Sequence, residues 1–94
     1  MITYSQNMKN YTTYNNKLYS INDTITVGFP NGVHNDYVYI RDINYGRLEL
    51  YSNDKLIIKK IKRNNGVVFF EACDKNNYYI IQIELAIRSD EIIF

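Results

Sequence analysis

Asn64-Asn65-Gly66 lies between two apolar runs, Leu56 to Lys62 and Val67 to Cys73. Asparagine and glycine accept the positive φ angles of a tight two-residue turn, so this is the strongest hairpin signal in the chain. It commits the middle of the sequence to antiparallel sheet, and the remaining segments have to be fitted around that pair.

The same period of two recurs on either side. Ile25, Val27 and Phe29 alternate with Thr24, Thr26 and Gly28, which places the apolar set on one side of a strand because successive side chains point oppositely. Pro30-Asn31-Gly32 ends that strand, since proline cannot extend the ladder. Tyr37 to Ile43 resumes the alternation, with Val38 and Ile40 on one face and Tyr37, Tyr39 and Arg41 on the other. These two segments are expected to pair as a hairpin. Arg47 to Tyr51 reads as the next strand, between turn candidates Asn44-Tyr45-Gly46 and Ser52-Asn53-Asp54.

Lys55 to Arg63 admits two readings. As a strand it buries Leu56 and Ile58, but Ile61 is out of phase, so a bulge near Lys59-Lys60 is required. As a helix it shows a narrow stripe of Leu56, Ile57, Lys60 and Ile61, capped from Ser52-Asn53-Asp54 and followed by Gly66. The neighbouring hairpin turn favours the strand. Tyr78 to Ile87 has the longest alternation and is expected to be the central strand, with Ser89-Asp90 turning into a short final strand over 91–94. Residues 5–23 show no sustained period and predict an irregular lead-in with a short strand over Lys17 to Ile21 or one helical turn.

The expected fold is therefore all-β: an antiparallel meander of about six strands, forming a partly closed barrel or a curled sheet. The alternative is α+β, with residues 54–64 helical. One domain over 1–94 is expected, its first 20 residues loosely ordered.

Charge and cysteine content restrict the function classes. Eleven Lys and Arg balance ten Asp and Glu, so no whole-molecule field draws the chain to nucleic acid or to an anionic membrane. One cysteine, Cys73, cannot form an intramolecular disulfide and fits a reducing compartment. The N-terminal residues lack the pattern of a secretory signal, and no apolar run reaches the roughly 18 residues of a membrane span. A cytoplasmic protein with no membrane partner is expected. Ile, Asn, Lys, Tyr and Phe make up about half of the chain, as AT-rich codons would produce, which points to a low-GC microbe, phage or mobile element.

Groups suited to catalysis are sparse. His34 beside Asp36 resembles a base and its orienter, but no serine or cysteine stands at a telling spacing, and a solvated loop histidine accounts for it. Cys73 reads as a strand-end residue. One histidine and one cysteine do not make a structural zinc site, the acidic residues lack calcium-loop spacing, and the glycines form no phosphate loop. Neither enzyme activity nor a metal or other cofactor is expected.

Ten tyrosines point instead to recognition, because a phenol offers a large amphipathic surface at modest ordering cost. Tyr37, Tyr39, Arg41, Arg47 and Tyr51 are the expected protein-binding set, matching the Tyr and Arg enrichment of interface hot spots. Lys55, Lys59, Lys60, Lys62 and Arg63 form the densest cationic segment and are the expected contacts to an acidic or phosphate-bearing patch. The same lysines would also keep an edge strand from aggregating. The expected function is steric inhibition of a host protein, or protein–nucleic acid complex, such as a defence nuclease. Two rivals use the same residues: a small barrel that binds single-stranded nucleic acid by stacking and phosphate contact, and a homo-oligomeric structural or virion component.

Overall fold

The computed structural model describes residues 5–93, with only the backbone of Ser5 described. In chain order the elements are β1 (Ser5–Met8), β2 (Asn10–Thr12), β3 (Leu18–Ser20), β4 (Thr24–Val27), β5 (Ile40–Asp42), β6 (Lys55–Asn64), β7 (Val67–Cys73), β8 (Tyr78–Gln82), α1 (Ile83–Arg88) and β9 (Ile92–Ile93). Six strands form one curled, partly closed antiparallel sheet in the order β5-β8-β7-β6-β4-β9, and β1 joins it on β6. β2 and β3 make a separate hairpin. No described helix is long and apolar enough to cross a membrane.

The hairpin at Asn64-Asn65-Gly66 is present, with Asn65 at φ 52° and Gly66 at φ 83°. The helical alternative for residues 54–64 is excluded, since Lys55–Asn64 is the longest strand. Its register against β7 shifts between Ile58 and Lys60, leaving Lys59 as the extra residue. That bulge lets Leu56, Ile58 and Ile61 all be buried although they do not share one uninterrupted alternation. β6 is also shared lengthwise: Thr24–Thr26 of β4 pair with its first residues, and Ser5–Met8 of β1 with its last. Residues 5–20, expected to be loosely ordered, thus supply β1 to the sheet and the β2-β3 hairpin to the core.

Three expectations need correction. The segments 24–29 and 37–43 do not pair: β4 lies between β6 and β9, whereas β5 pairs only with β8. A local hairpin loses because the twelve residues 28–39 separate β4 from β5, and Gly28 and Phe29 donate backbone hydrogen bonds to the Glu91 and Asp90 carbonyls. Residues 47–51 are irregular, with Leu50 buried and Leu48 packed on the core without a ladder. The long strand through Ile87 stops at Gln82 and becomes α1. Ile83, Ala86 and Ile87 are its buried residues, a helical spacing that the period-two pattern had concealed, and Glu, Leu, Ala and Arg within it are strong helix formers. The helix ends in a Schellman arrangement: Asp90, at φ 62°, donates to the Ile87 carbonyl, and Glu91 donates to the Ala86 carbonyl.

The core lies on one side of the sheet. Phe70, Ile81, Ile40, Ile58, Ile61 and Tyr79 are fully or almost fully buried there, each worth roughly 1.5–3 kcal/mol of apolar transfer. Tyr11 and Tyr19 meet the Phe70 ring edge-on, with centroids 6.5 and 5.5 Å away, so the β2-β3 hairpin covers that side. The hairpin is tied to α1 by the Tyr14 N–H, which donates to Glu84, and by Arg88 lying 4.3 Å over the Tyr14 ring.

Candidate functional site

The opposite side of the sheet carries no covering element among the described residues. Register places its side chains in rows. Lys60, Glu71, Ile80 and Arg41 stand side by side across β6, β7, β8 and β5, and Lys62, Phe69 and Gln82 form the next row. Tyr39 extends that second row, its carbonyl accepting from the Gln82 N–H at 3.0 Å. Between the rows lies a shallow groove of about 250 Å³ lined by Arg41, Lys62, Asn64, Phe69, Glu71 and Ile80. A smaller hollow of about 90 Å³ continues it toward Val38, Tyr39 and Gln82.

The face has an apolar centre and a cationic rim. Phe69 and Ile80 supply the half-buried apolar floor. Lys62 binds Glu71 at 2.8 Å, the sole ion pair among the described residues, so the one carboxylate on the floor is already neutralised. Arg41 and Lys60 remain without a carboxylate partner, and the groove carries net positive charge. Arg41 lies 4.4 Å over the ring of Tyr45, which is 80% exposed and held at φ 59°. A bulky residue at positive φ is strained, and strain of this kind concentrates at functional positions.

The structure divides the expected residues. Tyr39, Arg41, Lys60 and Lys62 come together on this face. Lys59 sits in the bulge and, with Lys60, lines a separate notch beside Asn7, Met8 and Ile21. Lys55 is at the far end of β6, its ammonium donating to Thr26 Oγ1 at 2.7 Å. Alternation points Arg63 opposite Lys60 and Lys62, and the bulge makes that the core side: it pairs with buried Val68 and acts electrostatically on Tyr11. Tyr37 also leaves the set, because its hydroxyl donates to the Gly28 carbonyl at 2.9 Å and its ring packs on the core. Tyr37 and Tyr51 line a loop pocket, and Arg47 is exposed in the irregular segment before it.

Phe69, Ile80, Gln82 and Tyr45 lie on or beside this face and are not among the expected residues. The signal for Phe69 and Ile80 was present, since each alternates with a buried neighbour, Phe70 or Ile81, and must point outward. Which strands would stand beside them was not legible. His34 is exposed in the 31–36 loop, and Cys73 is half-buried between Ile57 and Tyr78. Among the described residues no group of three His, Cys, Asp or Glu side chains converges to hold a metal ion.

Compared with protein-family models, with curated proteins and with solved structures, the chain matches none. Fold and face together define a small, mostly-β domain with one short helix, whose curled sheet buries one side and leaves the other bare.

Proposed function

We propose that the protein is a non-enzymatic binding module that docks an acidic protein surface on the bare side of its sheet and acts by obstruction. The observation that carries this reading is the juxtaposition of an apolar floor, Phe69 and Ile80, with the uncompensated cations Arg41, in the groove, and Lys60, at the end of the Glu71-Ile80-Arg41 row. Interfaces place apolar and aromatic side chains at the centre and charge at the rim, and complementary charge sets the encounter rate and suppresses wrong partners. Tyr39 and Arg41 are the expected anchors, with Lys60 and Lys62 facing partner carboxylates.

The AT-rich coding bias supports a phage or mobile-element origin, and a host defence nuclease is a partner of suitable kind. A cationic face does not suit the cationic groove in which a nuclease holds phosphates, so such an enzyme would be met on an acidic surface outside that groove.

A photo-crosslinking side chain at Phe69 should capture a host protein in the cell, and capture should fall in Arg41→Glu and Tyr39→Ala variants that remain folded. Equal capture from Phe69 and from a control position at Lys75, insensitive to both substitutions, would overturn the reading.

A second reading is favoured by the Arg41–Tyr45 stack beside Tyr39 and Phe69: aromatic rings and cations on a bare sheet also suit single-stranded nucleic acid. Titration of labelled single strands at two salt concentrations separates the two. Tight binding that weakens steeply with salt and is lost in Phe69→Ala would replace the protein reading; no association at low salt would remove the nucleic-acid one.

A further inference from the structure

The Tyr37–Tyr51 pocket has the opposite chemistry to the sheet face. It is a cavity of about 310 Å³ whose apolar walls include Pro30, Leu48 and Leu50, with Asp36, Tyr37 and Tyr51 around them; the Asp36 carboxylate lies over Gly32. Among the described residues that line it there is no Lys, Arg or His. Tyr51 is 72% exposed, so its ring is open to a ligand.

Backbone and side-chain bonds hold the walls in place. The Tyr37 and Ser52 hydroxyls both donate to the Gly28 carbonyl, at 2.9 and 2.8 Å. Asp54 accepts from the Tyr51 N–H at 2.9 Å, and the Asp36 carbonyl accepts from the Gly32 N–H at 2.7 Å. The Tyr37 phenol is pushed above its usual value of 10.0, first by burial and then by the fields of Asp54 and Glu91, so carboxylates outside the lining add to the negative potential of Asp36.

We propose that this pocket binds the arginine side chain of a protein partner, with the guanidinium against Asp36 and the Tyr51 ring and the methylenes against Leu48 and Leu50. The volume is near the lower end of the range for ligand pockets, about 300–1,000 Å³, and suits one side chain. A planar, weakly hydrated cation gains from both an aromatic face and a carboxylate, which favours guanidinium over ammonium. Nucleic acid offers no such group. The assignment rests on this pocket alone, whether or not the sheet face is occupied.

Titrating the whole protein with N-acetyl-arginine methylamide, followed by methyl resonances of Leu48 and Leu50 and ring resonances of Tyr51, tests it. Saturable shifts are expected at those residues, with affinity about ten-fold lower for the neutral citrulline analogue and for the Asp36→Asn variant. The lysine analogue should bind more weakly than arginine. Tyr51→Leu should also weaken binding, and Arg41→Glu on the sheet face should leave it unchanged. Equal shifts with citrulline, unchanged affinity in a folded Asp36→Asn protein, or shifts confined to other residues would overturn the proposal. Failure of the sheet-face crosslink would leave this outcome unaffected.

Discussion

The Glu91 carboxylate reaches across the open side of the curled sheet to Tyr39. Its two oxygens accept the Val38 and Tyr39 backbone N–H groups, each at 2.8 Å. Glu91 immediately precedes β9 and Tyr39 immediately precedes β5, the two ends of the strand order. A side chain therefore bridges the seam where no ladder closes the sheet. The residue is fully buried, and two charge-assisted hydrogen bonds offset the cost of removing its oxygens from water.

Replacing Glu91 should open that seam. Glu91→Ala leaves two N–H groups without their acceptor and a cavity, and is expected to cost about 3–5 kcal/mol. Glu91→Gln keeps one acceptor but turns an NH2 group toward a donor, costing about 1–3 kcal/mol. Urea unfolding measures both. A midpoint for Glu91→Ala indistinguishable from the parent would show that the bridge contributes nothing to stability.

Gly28 accepts from two hydroxyls through its carbonyl and donates its N–H to Glu91 at 2.7 Å. An added Cβ there would run into the Asp90 carbonyl oxygen and crowd the Glu91 backbone, neither of which is a flexible side-chain end. Gly28→Ala should therefore destabilise by about 2–4 kcal/mol, at or above the usual cost of overpacking. Gly66→Ala tests a different mechanism: nothing obstructs its Cβ, but its φ of 83° penalises any side chain, so a loss of about 1 kcal/mol is expected. Thermal unfolding should rank Gly28→Ala well below Gly66→Ala, and the reverse order would contradict the packing at Asp90.

Deleting Lys59 removes the extra residue of the β6 bulge. Ile58 and Lys60, which already oppose the consecutive residues Ala72 and Glu71, would then be neighbours, so Leu56, Ile58 and Ile61 would share one uninterrupted alternation and keep their inward face. The shortened chain is expected to keep cooperative unfolding, read by circular dichroism against temperature, at a cost of about 1–2 kcal/mol for the lost local twist, while Lys59→Ala should stay within about 0.5 kcal/mol of the parent. A Lys59 deletion that no longer unfolds cooperatively would show that the twist at the bulge, and not the phase of the apolar residues, holds the strand.

Tyr79 and Tyr19 are buried, and burial raises their phenol ionisation above 10.0; Asp74 adds to the effect at Tyr79. The folded state holds these protons more tightly than the unfolded chain, so their contribution is complete below pH 10 and is lost as pH rises through the raised folded values. Urea midpoints should fall beyond pH 10, and Tyr79→Phe should shallow that fall. A stability that is flat or rises over the same interval would contradict the buried phenols.

Local chemistry made several elements legible. Asn65-Gly66 specified its own turn, and the phase error of Ile61 required the bulge. The asparagines have a conformational role: Asn16, Asn22, Asn35, Asn53 and Asn65 all occupy positive φ, which a short amide side chain tolerates. On the bare side of the sheet, Tyr39, Arg41, Lys60 and Lys62 are legible in the sequence, while the bulge and the Gly28 carbonyl keep Arg63 and Tyr37 off it.

By itself, then, the sequence determined where the chain turns and which side chains alternate, because turn geometry and strand period act between residues a few positions apart. Tertiary structure alone decided that β5 pairs with β8, that Ile83 to Arg88 coils over the core, and that Glu91 reaches Tyr39. Those outcomes depend on which buried surfaces and backbone donors find one another across dozens of residues. Ile83, Leu85 and Ile87 fit the alternation of a strand, Ile83, Ala86 and Ile87 the stripe of a helix, and the rest of the core selects the second.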